Sequence, residues 1–241
     1  MPVIIRNIIY SININTPLSI ILKYLLNYLH NLIISKKKIN KIISFQKKIK
    51  NLKAKKKIIG FTKENITYSI PIYDSIIEKN LKKDNLQCLI LGTYEGHSTL
   101  FFSLFNKTWR FTCVDLWNKK KFTNFNIGAE NYFDKNTKDL KNRINKIKSS
   151  TKNFLKENKF NYDFIYLDSS HKSKDVEFDC INAWNILNKK GIFIIHSLFW
   201  RGFKNLYDNN LHGVNLFLEK IKASNFQIIN VTNNFLALKK I

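Results

Sequence analysis

Leu89-Ile90-Leu91-Gly92-Thr93-Tyr94-Glu95-Gly96 carries a short apolar strand straight into a Gly-x-x-x-Gly turn, and His97-Ser98-Thr99-Leu100-Phe101-Phe102 opens a helix at once. Strand, glycine turn and helix in that order begin a doubly wound α/β domain that cradles a nucleotide-like ligand. About twenty residues on, Phe111-Thr112-Cys113-Val114-Asp115 ends a second apolar run with a carboxylate, the place from which such folds hydrogen-bond a ribose. The turn alone is a weak signal. Turn and acid together point to one ligand.

Further along, apolar runs alternate with helical patterns. Strands are expected at Gln87–Leu91, Arg110–Val114, Ile144–Lys148, Tyr162–Leu167 and Gly191–Ile195. Helices are expected near Tyr73–Lys82, Ser98–Asn106, Asn131–Leu140, Lys152–Glu157, Val176–Leu187 and Val214–Ala223. Phe226–Val231 and Phe235–Lys239 read as a closing antiparallel pair. The pattern implies an α/β fold, a Rossmann-like, doubly wound, mainly parallel seven-stranded sheet with an antiparallel C-terminal strand. Ligands of such sheets lie outside the carboxyl ends of the strands, so Gly92, Asp115, Asp168, His171 and His196 are expected to converge.

At 241 residues the chain has room for one such domain plus an appendage, and its 44% hydrophobic content excludes wholesale disorder. No stretch of about 18 apolar residues runs free of polar groups, so no spanning helix is expected. The first residues lack the charged-then-apolar pattern and cleavage site of a leader. Cys88, Cys113 and Cys180 lie in apolar contexts and read as buried free thiols of a reducing compartment, which implies a cytoplasmic location.

The net charge of +24 invites a nucleic-acid reading. Lys supplies 37 of the 41 basic residues, however, and Arg only 4. With Ala at 5 and Ile, Asn and Lys abundant, this is the composition of an AT-rich coding sequence. Nucleic-acid sites draw on Arg for bidentate contacts, so a nucleic-acid partner is not the favoured reading.

The basic excess is concentrated. Residues 36–57 hold eleven lysines, and before them Leu18 to Ile34 is apolar except for Ser19, Lys23, Asn27 and Asn31, one polar stripe on a helix that Pro17 opens. Two readings stand side by side. The helix packs against the main domain or a second subunit, with a solvated lysine-rich helix after it. Alternatively, residues 18–57 form a peripheral anchor on an anionic membrane surface. The boundary falls near Gly60-Phe61, leaving residues 1–60 as a helical, lysine-rich appendage and 61–241 as the main domain.

From about Phe61 onward the chain resembles the class I S-adenosylmethionine-dependent methyltransferases of the methyltransferase domain 24 group. Leu91 to Thr99 and Cys113-Val114-Asp115-Leu116-Trp117 carry the likeness, with Phe133-Asp134-Lys135-Asn136, Tyr162 to His171 and Ala183 to Leu187 in the same order. The resemblance implies donor binding by Gly92, Thr93, Tyr94, Glu95, Gly96 and Ser98, by Asp115, Leu116 and Trp117, by Ser150 and Thr151, and by Asp168. The donor has no phosphates, so it needs close backbone approach at Gly92 and Gly96 where a phosphate would need a lysine cradle. Asp115 can accept from both ribose hydroxyls or cap its loop. Trp117 can line the adenine pocket or fill the core. Glu95 can meet the donor's ammonium or stay in solvent, while His97 and Ser98 can cap their helix.

Three positions depart from the family pattern. Ile90 replaces an acid two residues before the first motif glycine, Ser169 replaces a glycine after Asp168, and Ser197 follows His196 where the family often has an acid. A magnesium site would keep only Asp168 as a carboxylate, and magnesium takes several hard oxygens, so no metal residue is assigned. The function implied is S-adenosylmethionine-dependent methyl transfer to a small-molecule or glycan-like acceptor at oxygen. Asp168, His171 and His196 are the catalytic candidates, one histidine taking the acceptor's proton while Asp168 orients it. Two other classes stay open: a non-catalytic scaffold of the same fold, and a nucleic-acid-binding or -modifying protein using the lysine-rich segment.

Overall fold

The computed structural model describes residues 2–32, 36–62, 66–117 and 128–241. In chain order the elements are α1 (Val3–Asn13), α2 (Leu18–Leu32), α3 (Lys36–Ala54), α4 (Ile70–Asn80), β1 (Gln87–Leu91), α5 (His97–Ser103) and β2 (Arg110–Asp115). Then follow α6 (Ala129–Asn136), β3 (Ile144–Lys148), α7 (Thr151–Glu157), β4 (Tyr162–Leu167), α8 (Ser173–Asn185), β5 (Leu187–His196), α9 (Asn210–Lys220), β6 (Phe226–Val231) and β7 (Phe235–Lys240). The seven strands take the order β3-β2-β1-β4-β5-β7-β6, a Rossmann-like arrangement with β7 antiparallel to both neighbours. The chain divides into two compact units, residues 34–150 and residues 1–33 with 151–241.

In the first unit β2 lies parallel between β1 and β3, with Leu91 opposite Val114 and Asp115 opposite Lys148. Cys88, Leu89, Ile90 and Leu91 are all fully buried, which explains an unbroken apolar run where a one-sided strand would alternate. The Ile90 side chain is therefore core. Lys41 of α3 forms ion pairs with Asp74 and Glu78 of α4, and Phe45 packs edge-on to Phe101 of α5. The lysine-rich helix thus has one docked face and a solvated remainder.

In the second unit β4 and β5 are parallel, with Leu167 opposite Ile195, and β7 brings Phe235 opposite His196. β5 begins at Leu187, earlier than Gly191, because the polar run Asn188-Lys189-Lys190 continues the strand and hides its start from a hydrophobicity reading. Leu187 thus belongs to the strand; the helix before it ends at Asn185. α8 and α9 meet at Gly213, where an added Cβ would lie 2.3 Å from the Ser173 carbonyl oxygen.

The hairpin of α1 and α2 belongs to this second unit, and α1 has no counterpart among the expected helices. Its inward side mixes Ile14 and Ile20 with hydrogen-bonding side chains. Asn7 donates to Tyr24 Oη (3.1 Å) and Asn233 Oδ1 (3.2 Å), and Asn27 donates to Asn230 Oδ1 (3.2 Å) and the Val231 carbonyl (3.0 Å). Asn27, a member of the polar stripe, faces β6 and not solvent. The stripe's last member, Asn31, and the end of the expected helix at Ile34 lie outside the described side chains and residues.

Candidate active site

The glycine turn is built from backbone. Gly92, Tyr94 and Gly96 hold φ of +85°, +48° and +84°, a region free to glycine and costly for tyrosine. Gly92 N–H donates to the Val114 carbonyl (2.9 Å) and Gly96 N–H to the Thr93 carbonyl (2.8 Å). A Cβ at Gly96 would lie 3.1 Å from the Phe133 ring and 3.2 Å from Thr137. Conformation and close approach both select glycine there.

Strand register delivers Asp115 to this turn. Its Oδ2 accepts from the backbone N–H groups of Thr93 (2.9 Å) and Tyr94 (2.8 Å), and its Oδ1 from Trp117 N–H (2.9 Å). Oδ2 is saturated, whereas Oδ1 keeps one acceptor position. The expected grip on both ribose hydroxyls is therefore not available in this conformation; one hydroxyl can be held. Thr93 Oγ1, beside it, is buried with no hydrogen-bond partner among the described residues. An orphaned hydroxyl and an open carboxylate position on one glycine turn fit a ribose-bearing donor such as S-adenosylmethionine.

Trp117 is fixed by its indole N–H, which donates to the Tyr94 carbonyl (2.9 Å), and by Phe133, 5.0 Å away. Leu116 is 42% exposed. Glu95 is not a solvent group. It is buried, and its two oxygens accept from Thr62 N–H (2.6 Å) and Thr62 Oγ1 (2.7 Å). Gly96 takes the N-cap position of α5, so His97 and Ser98 enter the helix as its first residues. His97 stacks on Phe61 at 4.3 Å.

Asn136 is a structural residue that sequence reasoning quoted without a role. Its amide nitrogen donates to the Gly60 and Glu95 carbonyls (2.9 Å each), and its Oδ1 accepts from Ile59 (3.0 Å) and Gly60 (3.2 Å) N–H. Four hydrogen bonds from one buried amide tie residues 59–60 to the glycine turn. Ser150 follows β3, its carbonyl accepting from Ser149 Oγ (3.2 Å).

The second unit carries the titratable candidates. Thr151 opens α7 and gives its hydroxyl to Asp179 Oδ2 (2.7 Å), which also accepts from Ser169 Oγ (2.8 Å). Burial pushes the Asp179 carboxyl up to about 6, against the pull of these two donors. Asp168 follows β4 and His196 ends β5. His196 Nδ1 lies 3.2 Å from Asp168 Oδ2 and 3.1 Å from Ser197 Oγ, and Ser197 Oγ donates to Asp168 Oδ1 (3.2 Å). Ser197, at φ +58°, bridges the histidine and the carboxylate, so the position that lost an acid gained a hydrogen-bonding link.

Burial raises the Asp168 carboxyl, but His196 foremost, with His171 and Ser197, outweighs it and holds the group below the ordinary range. His196 is 6% exposed, and its Nε2 has no hydrogen-bond partner among the described residues. Asn210 of α9 steadies the segment by donating to the carbonyls of His196 (3.0 Å) and Ser197 (2.8 Å). His171 stacks against Trp200 at 4.7 Å. Burial lowers its pKa, with His196 lowering it further and Asp168 pulling the other way. Among the described residues, no group of three His, Cys, Asp or Glu side chains is arranged to hold a metal ion.

A glycine turn closed on a strand-tip carboxylate, in this sheet order, is the arrangement that the resemblance to class I S-adenosylmethionine-dependent methyltransferases implies. Residues 89–198 match the family model of the methyltransferase domain Methyltransf_24. No curated protein matches the sequence. Solved structures of similar fold include an O-methyltransferase from Bacillus cereus in complex with S-adenosylhomocysteine, 13% identical, covering 92% of this chain and 100% of that one with a TM-score of 0.54. An rRNA methylase from Streptococcus thermophilus is 14% identical over 76% of this chain and 99% of that one (TM-score 0.53). The MycE methyltransferase of the mycinamycin biosynthetic pathway, with Mg and S-adenosylhomocysteine, is 17% identical over 75% of this chain and 50% of that one (TM-score 0.55). At these identities the likeness is one of fold.

Proposed function

We propose that this enzyme methylates a hydroxyl oxygen of a small-molecule or glycan-like acceptor, with residues 61–241 as its catalytic part. His196 carries this reading. With Nδ1–H donated to Asp168, the ring is the tautomer whose Nε2 bears the lone pair, and Nε2 has no partner among the described residues. Nε2 takes the hydroxyl proton, and the ionised Asp168 stabilises the imidazolium that results. His171, kept neutral by burial and packed on Trp200, serves to position the acceptor.

When bound, the donor supplies a methyl group on a positively charged sulfur. Gly92, Thr93, Tyr94 and Gly96 would hold it by close backbone approach, with Asp115 Oδ1 and the Thr93 hydroxyl on its ribose. Scarce arginine argues against a nucleic-acid acceptor. Calorimetric titration with S-adenosylmethionine and S-adenosylhomocysteine, with and without magnesium, tests the donor half. Micromolar binding indifferent to the metal is expected; no binding by a folded sample would overturn it.

A further inference from the structure

The α1–α2 hairpin is amphipathic in reverse. On α1 the buried residues are Asn7, Tyr10 and Ser11, followed by the buried C-cap Ile14, while Ile5, Ile9 and Ile12 stand 45%, 43% and 60% exposed on the opposite side. On α2, Ile20 and Tyr24 are buried, and Leu18, Leu22, Leu26 and Leu29 stand 68%, 50%, 64% and 58% exposed. Both outward sets recur every three or four residues, so each is a continuous stripe along its helix. Hydrogen bonds hold the hairpin by its polar side. Besides Asn7 and Asn27, Tyr10 Oη donates to the Leu206 carbonyl (3.1 Å), and Asn215 donates to the Ile14 carbonyl (3.1 Å) and Thr16 Oγ1 (3.0 Å). A fold that turns its asparagines in and its leucines out presents an apolar surface, unlike the scattered single exposures common on soluble proteins.

We propose that this hairpin is a membrane-surface anchor that lies on an anionic bilayer with its aliphatic stripes in the acyl boundary. Charge favours that occupant. Residues 1–63 contain Arg6 and thirteen lysines and not one Asp or Glu. The hairpin itself carries Arg6 and Lys23 and no carboxylate, so a second copy packed on the same stripes would bring like charges together with no acid to offset them. A protein groove selects aromatic anchors, whereas Tyr10 and Tyr24 are buried here and the outward stripes are purely Ile and Leu. Among the described residues no helix is long and apolar enough to cross a membrane, which leaves lying in its surface. Lysine-rich α3, next in the chain, adds the second signal that such an anchor needs. The anchor does not depend on the acceptor or the chemistry.

Co-sedimentation of the full chain with vesicles tests it. Phosphatidylserine-containing vesicles at low salt should bind at least about tenfold better than phosphatidylcholine alone, and high salt should weaken the binding. Leu22→Asn with Leu26→Asn should reduce it by at least about tenfold, since both side chains lose their place in the acyl boundary. Circular dichroism should be unchanged, because both side chains are already exposed. No binding to phosphatidylserine vesicles at low salt would overturn the anchor, as would equal binding by the double variant. A solution dimer that the double variant dissociates, with no vesicle binding, would assign the stripes to a second copy.

Discussion

Asp115 ends β2, Asp168 follows β4, and the two carboxylates are used in opposite ways. Asp115 gives three of its acceptor positions to backbone N–H groups and leaves one open. Asp168 engages two side chains, His196 and Ser197, whose protons can move. The first carboxylate fixes the shape of a turn; the second sets the charge and tautomer of a base. Substitutions at the two places should therefore fail differently, one in binding and fold, the other in turnover.

His196→Ala should give the largest effect, a fall in kcat of about 10²–10⁴-fold with donor affinity within about threefold, read by label transfer and calorimetry. Parallel loss of donor affinity would erase the distinction between the two carboxylates. Asp115→Ala should come next. Three N–H groups lose a charged acceptor, so donor affinity should fall about 30- to 100-fold, equivalent to about 2–3 kcal/mol, and the midpoint of thermal unfolding should drop with it.

A third carboxylate, Asp179, is raised to about 6 by burial and acts on stability with no part in turnover. A raised acid binds its proton more tightly folded than unfolded. Its stabilising contribution is therefore complete below about 3.8 and is lost as pH rises through about 6. Asp179→Asn should remove about 2–3 kcal/mol of that slope, visible as a flatter profile of unfolding free energy between those values. An unchanged profile would remove Asp179 from the account.

The sheet and the glycine turn were legible because they rest on local signals, namely apolar runs of strand length, glycines at fixed spacing and an acid at a strand tip. The rest depends on partners remote in sequence. Glu95 is decided by Thr62, and Asn136 by Gly60, neither of which any local pattern joins to it. Ser197 looked like a loss until its hydroxyl was seen between His196 and Asp168. The hairpin misleads for a stronger reason. A polar stripe is ordinarily solvated, and here Asn27 of that stripe is inside because β6 offers it hydrogen-bond acceptors.

Asn136 also sets a timescale. Residues 59–60 lie in an irregular segment, where amide hydrogens would normally trade with solvent deuterium in the earliest phase. Both of their N–H groups are capped by one buried oxygen whose own amide grips Glu95, so neither can open without freeing the turn. Their exchange should run at the slow rate of the turn, and the two should quicken together when Asn136 is replaced.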